Sequence, residues 1–320
     1  MVEFIDMYRN NKLDGGPRWG VEPICKVLTE EAGITISPSG YYDFKGRPLS
    51  RRALRDKELQ AVILGIWDDN YCCWGAKKVW RELHRRGIDA ARCTVERLMG
   101  EIGIYGAVRG KVKHTTIAGK NAKRAEDLVK RVFWAPCPNL IWVADFTYVS
   151  TWEGWCYTAF VTDVFARRII GWAVSSRMNQ QLVASAFKMA VYARKNEGSG
   201  DFSSLTCHHD AGSQYTSDDF VALLALHGVK DSVGSVGDAY DNALAENLHG
   251  SYKTELIKNP AMGRPWKSLE QLELATARWV YWHNNKNITE YNNWHTPAEM
   301  EDKYYTSGID AHKNVSKASA

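Results

Sequence analysis

Three carboxylates, Asp145, Asp210 and Glu246, stand where a carboxylate is either costly or well placed to act. Asp145 interrupts the apolar run Leu140-Ile141-Trp142-Val143-Ala144-Asp145-Phe146-Thr147-Tyr148-Val149. Asp210 closes a second short run from Leu205 to His209, just before Ala211-Gly212-Ser213-Gln214. Glu246 follows it after 35 intervening residues, within a helical pattern. A carboxylate in a buried strand is expensive unless a charged partner or a metal compensates it. Three that converge on one spot would hold divalent metal ions, and divalent ions held by carboxylates suit chemistry on phosphodiester bonds. Each acid also has a plainer reading. Asp145 could pair with an arginine, although Arg167 and Arg168 lie at the far end of the strand meander. Asp210 could cap a turn, and Glu246 could be a solvated helical glutamate.

The elements that must position these acids follow from periodicity. Three strand-like runs, Leu140–Ser150, Trp155–Phe165 and Arg168–Ser175, are joined by short connections and read as an antiparallel meander. Along the first, Ile141, Val143, Asp145, Thr147 and Val149 share one side. Helix Gln181–Arg194, strand Leu205–His209, helix Asp218–His227, strand Val229–Ser232 and helices Ala239–Ile257 and Leu269–Asn284 complete the order. That order predicts an α/β fold with a ribonuclease-H-like catalytic core, a mixed five-stranded sheet flanked by helices. Asp210 then lies at the carboxyl end of a strand, where ligand sites gather in such sheets, with Thr216 or Ser217 capping the next helix. In the helix of Glu246, Asp238 is a candidate N-cap with Asp241 at N3. Leu244, Leu248, Tyr252 and Leu256 form its packing stripe, and Asn242, Glu246, His249 and Lys253 a neighbouring one. Lys253 is a candidate phosphate contact or a solvated lysine. His208 and His209 point to opposite faces and read as structural.

Upstream, Val21–Ala32 reads as a helix and Ser37-Pro38-Ser39-Gly40 as a turn. Helices over Ala76–Arg86 and Ala91–Ile102, separated at Gly87, form a helix-turn-helix-like pair or an ordinary helical hairpin. Val79, Trp80 and Leu83 face inward, Lys77, Lys78, Arg81 and Arg85 outward, and Arg92, Thr94, Glu96 and Arg97 are exposed on the second helix. Between Ala107 and Arg131, eight Lys/Arg, among them Arg109, Lys111 and Lys113, face only Glu126 and Asp127. Such a strip suits a polyanionic partner or a solvated linker. The expected divisions are an N-terminal mixed and helical region at 1–60, a helix-turn-helix-like DNA-binding domain at 61–106, a basic linker at 107–134, a catalytic core at 135–300 and a tail at 301–320.

With 320 residues the chain is long enough for two or three domains. Its 45% hydrophobic and 24% charged residues are those of a soluble globular protein. No stretch approaches the roughly 18 apolar residues of a membrane span, and the first residues lack the pattern of a signal peptide. Seven cysteines without a C-x-x-C pair read as reduced cytosolic thiols and make a zinc site a poor expectation. The 13 tryptophans are read mostly as core packing.

Three motifs carry a resemblance. Trp142-Val143-Ala144-Asp145-Phe146-Thr147-Tyr148, then His209-Asp210-Ala211-Gly212-Ser213-Gln214-Tyr215-Thr216-Ser217, then Gly234 to Glu246 resemble the DDE transposases. In particular they resemble the OrfB product of bacterial insertion sequences of the IS-three family, within the retroviral-integrase superfamily. Tyr71 to Trp80 and Thr94 to Met99 extend the likeness upstream, and it covers about residues 20 to 305. The sequence departs from the family pattern at His209, Ala211, Asn287 and Thr289. The resemblance implies a transposase that cleaves DNA at element ends and transfers the freed 3′-OH into another phosphodiester. Asp145, Asp210 and Glu246 would be catalytic and metal-binding, holding two Mg²⁺ ions (Mn²⁺ as substitute), with Asp145 bridging. Lys253, Arg92, Arg97, Arg109, Lys111 and Lys113 would contact DNA. The implied partners are double-stranded DNA, both terminal repeats and target, other copies of the chain in a synaptic complex, and an upstream OrfA product or a fusion with it. The implied location is the bacterial cytoplasm, at the nucleoid. A DNA-binding regulator without activity, a degenerate copy, and a ribonuclease-H-type nuclease are the alternatives.

Overall fold

The computed structural model describes residues 1–12, 16–110, 125–234, 243–263 and 265–307. The chain forms two compact units, Met1–Leu59 and Gln60–Ala320. The first unit holds α1 (Val2–Tyr8), α2 (Val21–Glu30) and α3 (Pro38–Gly46), and α4 (Arg51–Asp69) spans the division. Ile5, Val21, Ile24, Cys25 and Tyr41 form its small core. Ser37-Pro38, expected as a turn, instead starts α3. The Ser37 hydroxyl accepts the Gly40 N–H and Pro38 occupies the first helical turn, where its missing N–H costs nothing.

The second unit continues with α5 (Ala76–Arg85) and α6 (Arg92–Glu101), then β1 (Ile141–Thr151), β2 (Gly154–Asp163), β3 (Arg168–Ser175), α7 (Gln180–Asn196), β4 (Thr206–His209), α8 (Asp218–Leu226), β5 (Lys230–Val233), α9 (Ala243–Tyr252), α10 (Leu269–Asn285) and α11 (Pro297–Thr306). The strands form one mixed sheet in the order β3-β2-β1-β4-β5. The meander is antiparallel, and β4 and β5 join it in parallel beside β1. This is the expected ribonuclease-H-like arrangement.

Alternation along β1 sends its side chains to two separate cores. Trp142 and Ala144 pack with Phe187, Phe202 and Phe220 on the α7 side. Val143 packs with Leu244 and Ala245 of α9 on the other. Gly171 of β3 lets α7 lie against the sheet, since a Cβ there would meet Ala186 O at 2.1 Å. A single turn of π-helix, Lys253–Ile257, continues α9.

Helix α11 crosses residue 300 and is tied into the core. Thr296 and Glu299 form a capping box at its start. Glu301 is buried and receives both terminal nitrogens of Arg194, at 2.7 Å each. Arg194 also donates to the buried Asp163 at 2.9 Å. The buried cation therefore joins α7, the end of β2 and α11.

Candidate catalytic site

Asp145 follows Val143 on the α9 face of β1, opposite Phe160 of β2. Its Oδ1 accepts the Phe146 N–H at 2.8 Å, and its Oδ2 lies 3.5 Å from His249 Nδ1. Arg167 and Arg168 are engaged elsewhere, with Phe133 O and with Glu197 and Glu301. Burial and the nearby Lys253 ammonium push the pKa of His249 down to about 3, so the ring is neutral at ordinary pH.

Asp210 reaches the same place by register. Ala144 and His209 are the last paired residues of the parallel β1–β4 ladder, and Asp145 and Asp210 each come one residue later. Asp210 Oδ1 accepts the Gly212 N–H at 3.0 Å, and a Cβ on Gly212 would sit 2.9 Å from that oxygen. The Asx-type turn and the strand-end placement are thus both realised, and the turn fixes one carboxylate oxygen. Tyr215 packs with Phe146, His209 and Phe220 on the α7 side of the sheet, within electrostatic reach of both acids. Its buried phenol is pushed well above its usual range by burial first, and then by the charges of both Asp145 and Asp210. Its ring stacks on His209 at 4.9 Å.

Glu246 stands on α9 one turn before His249 and is exposed to solvent. The Leu244, Leu248, Tyr252 and Leu256 stripe is buried as its spacing predicts. Asp238, Asp241 and Asn242 lie outside the described residues. Among the described residues, no three His, Cys, Asp or Glu side chains come close enough together to hold a metal ion. The register sets Asp145 and Asp210 one residue past the paired ends of adjacent strands, and Glu246 is exposed on α9. Lys253 is half-buried. Burial and Lys258 lower its pKa while Asp145 opposes them, and its Nζ sits 4.7 Å from the centre of the Tyr148 ring.

Residues 53–112 match the HTH-like domain family, and residues 135–239 and 227–295 match two families described as integrase core domain. A transposase for insertion sequence element IS986/IS6110 of Mycobacterium tuberculosis is 52% identical over 272 residues, 85% of this chain and 97% of that protein. The transposase for insertion sequence element IS629 of Shigella sonnei is 44% identical over 296 residues, 91% of this chain and 94% of that one. The chain belongs to the insertion-sequence transposases. Among solved structures, the HTLV-2 integrase catalytic core in complex with magnesium is 18% identical, with a TM-score of 0.38 over 52% of this chain and 98% of that one.

In this transposase the helix-turn-helix-like hairpin differs from expectation in one respect. Lys77, Lys78, Arg81 and Arg85 do not form a free outer face. Lys77 pairs with Glu290 at 2.9 Å and Arg85 with Glu299 at 2.6 Å. Arg81 stacks between Trp80 and Trp294, at 4.6 and 4.9 Å. Lys78 donates to Asn287 Oδ1 at 2.6 Å. The partners lie about two hundred residues downstream, and they turn this face of α5 toward the end of the core.

On α6, Arg92 pairs with Glu96 at 2.8 Å and Arg97 with Glu101 at 2.6 Å, each one turn away. Arg109 docks on α9, donating to Asn247 O at 3.1 Å and Ser251 Oγ at 2.7 Å, over Gly250. Lys111 and Lys113 lie outside the described residues. His208 and His209 have the structural roles expected of them. Nδ1 of His208 meets Ser232 Oγ at 2.9 Å, and Nε2 of His209 meets Asp231 Oδ1 at 2.8 Å.

Two residues near the aspartates were not singled out by type or spacing, His249 and Tyr215. His249 carried a signal, because it shares the helical stripe of Glu246 three residues on. Tyr215 carried none beyond its place in the Asp210 motif. Together the two aspartates fit a hard divalent cation. They are oxygen ligands one residue past the paired ends of adjacent parallel strands, and the histidine beside Asp145 is neutral. Two carboxylates brought close repel each other, and a cation between them relieves that repulsion.

Proposed function

We propose that this DNA transposase uses Asp145, Asp210 and Glu246 as the ligands of two Mg²⁺ ions, and that it both cleaves element ends and transfers the freed strand. The observation that carries the reading is the register of the β1–β4 ladder, which sets Asp145 beside Asp210 at the carboxyl ends of two parallel strands. Bound ions of this kind stabilise charge on the attacking and leaving oxygens of an in-line displacement.

The chain's own groups supply orientation. Phe146 N–H and Gly212 N–H each hold one carboxylate oxygen of Asp145 and Asp210, which fixes the direction in which each carboxylate meets a ligand. His249, being neutral, adds no cation that would compete at Asp145. Glu246 sits one turn from His249 on α9, exposed to solvent, and in this reading its side chain turns toward the two aspartates when ions bind. Lys253, already beside Asp145, offers an ammonium to a DNA phosphate.

In the first step a water oxygen attacks phosphorus at the element end. The bond to the 3′ oxygen breaks, and that oxygen takes up a proton as a 3′-OH. In the second step this 3′-OH attacks a target phosphodiester, forming a new P–O bond and expelling the 3′ oxygen of the target strand. Only the nucleophile changes, so one site serves both steps without a covalent enzyme intermediate.

The partners in this reading are element-end and target duplexes, further copies of the chain in the synaptic complex, and the product of an upstream frame, separate or fused. The place of action is the cytoplasm at the nucleoid. Among the described residues no helix is long and apolar enough to cross a membrane. The test is an assay with Mg²⁺ on DNA carrying the element ends, with and without the upstream product. Cut and joined products are expected. Cut but unjoined DNA would point to a nuclease, and binding without cutting to a regulator.

A further inference from the structure

Past Ala144, β1 loses its β4 neighbour, and from Asp145 to Thr151 its outer edge has no partner strand among the described residues. Along this open edge and around the β1–β2 turn stand three exposed aromatic rings. Tyr148 is 48% exposed, Trp155 57% and Trp152 69%. Tyr148 and Trp155 lie on the same face of the hairpin, in neighbouring cross-strand positions, with their rings 5.3 Å apart and nearly perpendicular. A lysine flanks each end of the strip. Lys253 Nζ is 4.7 Å from the Tyr148 ring centre, and Lys267 Nζ is 5.8 Å from that of Trp152. The acid nearest in sequence, Glu153, is turned to the start of α10, where it accepts the Leu269 N–H.

This combination is selective. Contiguous exposed aromatics are unfavourable in water and mark a contact surface. The flanking charges are positive, so the partner carries negative charge as well as flat apolar faces. Unpaired nucleotides have both, whereas the bases inside a duplex stack on each other and offer no face to a ring. The strip also lies on the strand that bears Asp145: Tyr148 is three residues on, about 10 Å along it and on its opposite face, and Trp152 stands in the β1–β2 turn beyond. The exposed rings depart from the expectation that the tryptophans serve mostly as core packing.

We propose that Tyr148, Trp155 and Trp152, with Lys253 and Lys267, form a stacking platform for unpaired DNA nucleotides adjoining the bond to be cleaved. The placement relative to that bond rests on the proposed role of Asp145. The platform itself does not, and it can be tested alone. The full-length chain is titrated, in the presence of EDTA, with a labelled single-stranded oligothymidine and with a blunt duplex.

Tyr148→Ala and Trp155→Ala are each expected to weaken oligothymidine binding about tenfold, with duplex binding changed less than about twofold. Tyr148→Phe and Trp155→Phe keep a ring and should keep most of the affinity. Unchanged oligothymidine binding in the alanine variants, or equal loss for both probes, overturns the proposal. A shift in sedimentation with oligothymidine binding unchanged also overturns it, and assigns the open edge to a second copy of the chain. Without divalent ions nothing is cleaved, so failure here leaves the metal-site reading standing. Inactivity or activity of acid variants likewise leaves the platform standing.

Discussion

His249 Nδ1 lies 3.5 Å from Asp145 Oδ2, at the seam between α9 and β1. The contact ties the helix that bears Glu246 to the strand that bears Asp145. Burial keeps the imidazole neutral, and its Nε2 has no hydrogen-bond partner among the described residues. The ring therefore positions the carboxylate without neutralising it.

Replacing this ring should slow the reaction more than it harms the fold. His249→Leu keeps the bulk and loses the polar edge, and strand transfer is expected to fall about 10- to 100-fold, as for other groups that orient a metal ligand. His249→Asn should retain more of the rate. Rates at several Mg²⁺ concentrations check this, since a misplaced ligand raises the Mg²⁺ requirement and a merely structural defect does not.

Arg194 is fully buried and holds Asp163 and Glu301 together. Arg194→Leu leaves the buried Asp163 without its cation and Glu301 with Arg168 alone, a change expected to cost about 3–5 kcal/mol. Urea unfolding should show the loss as a lower midpoint, and Glu301→Gln should cost less because Arg194 keeps Asp163.

Gly171 faces α7 so closely that a Cβ would meet Ala186 O at 2.1 Å and Ala190 N at 2.8 Å. Both are backbone atoms, which cannot swing aside. Gly171→Ala should push α7 off the sheet and destabilise the core by about 1–3 kcal/mol or more, measurable by thermal unfolding.

His283 is buried, and its Nε2 lies 3.1 Å from Arg167 O, so that nitrogen carries the proton. Burial lowers its pKa from 6.5 to about 4. Between these values the unfolded chain binds a proton that the folded chain refuses, so stability falls as pH falls through that window. The contribution reaches about 3 kcal/mol at its low end. Denaturant melts from pH 7 to pH 4 should be flatter for His283→Gln than for the natural chain.

The sheet was legible because each of its strands alternates or runs apolar between clear breaks, and the α9 stripe because Leu244, Leu248, Tyr252 and Leu256 recur every four residues. What local pattern left out was decided over long distances. Lys77 and Arg85 have the spacing of a solvated helix face, and only Glu290 and Glu299 turn that face inward. Arg194 looks like a cation at an exposed helix end, yet Asp163 and Glu301 bury it. Ser37-Pro38 satisfies the chemistry of both a turn and a helix start, and the packing of Tyr41 in the small N-terminal core accompanies the helix. In the site, residue types pointed to three acids, whereas the backbone register sets two of them at the ends of adjacent strands and leaves Glu246 exposed on α9.

Strand transfer by Asp145→Asn, Asp210→Asn and Glu246→Gln, each assayed with Mg²⁺ on DNA carrying the element ends, tests the three-acid metal site most directly. Each substitution keeps size and hydrogen bonding but removes the charge that a hard cation needs. Joined products should fall by at least about a thousandfold in all three, with DNA affinity retained. Joined products at near the natural rate in any one of them would contradict the assignment of that acid.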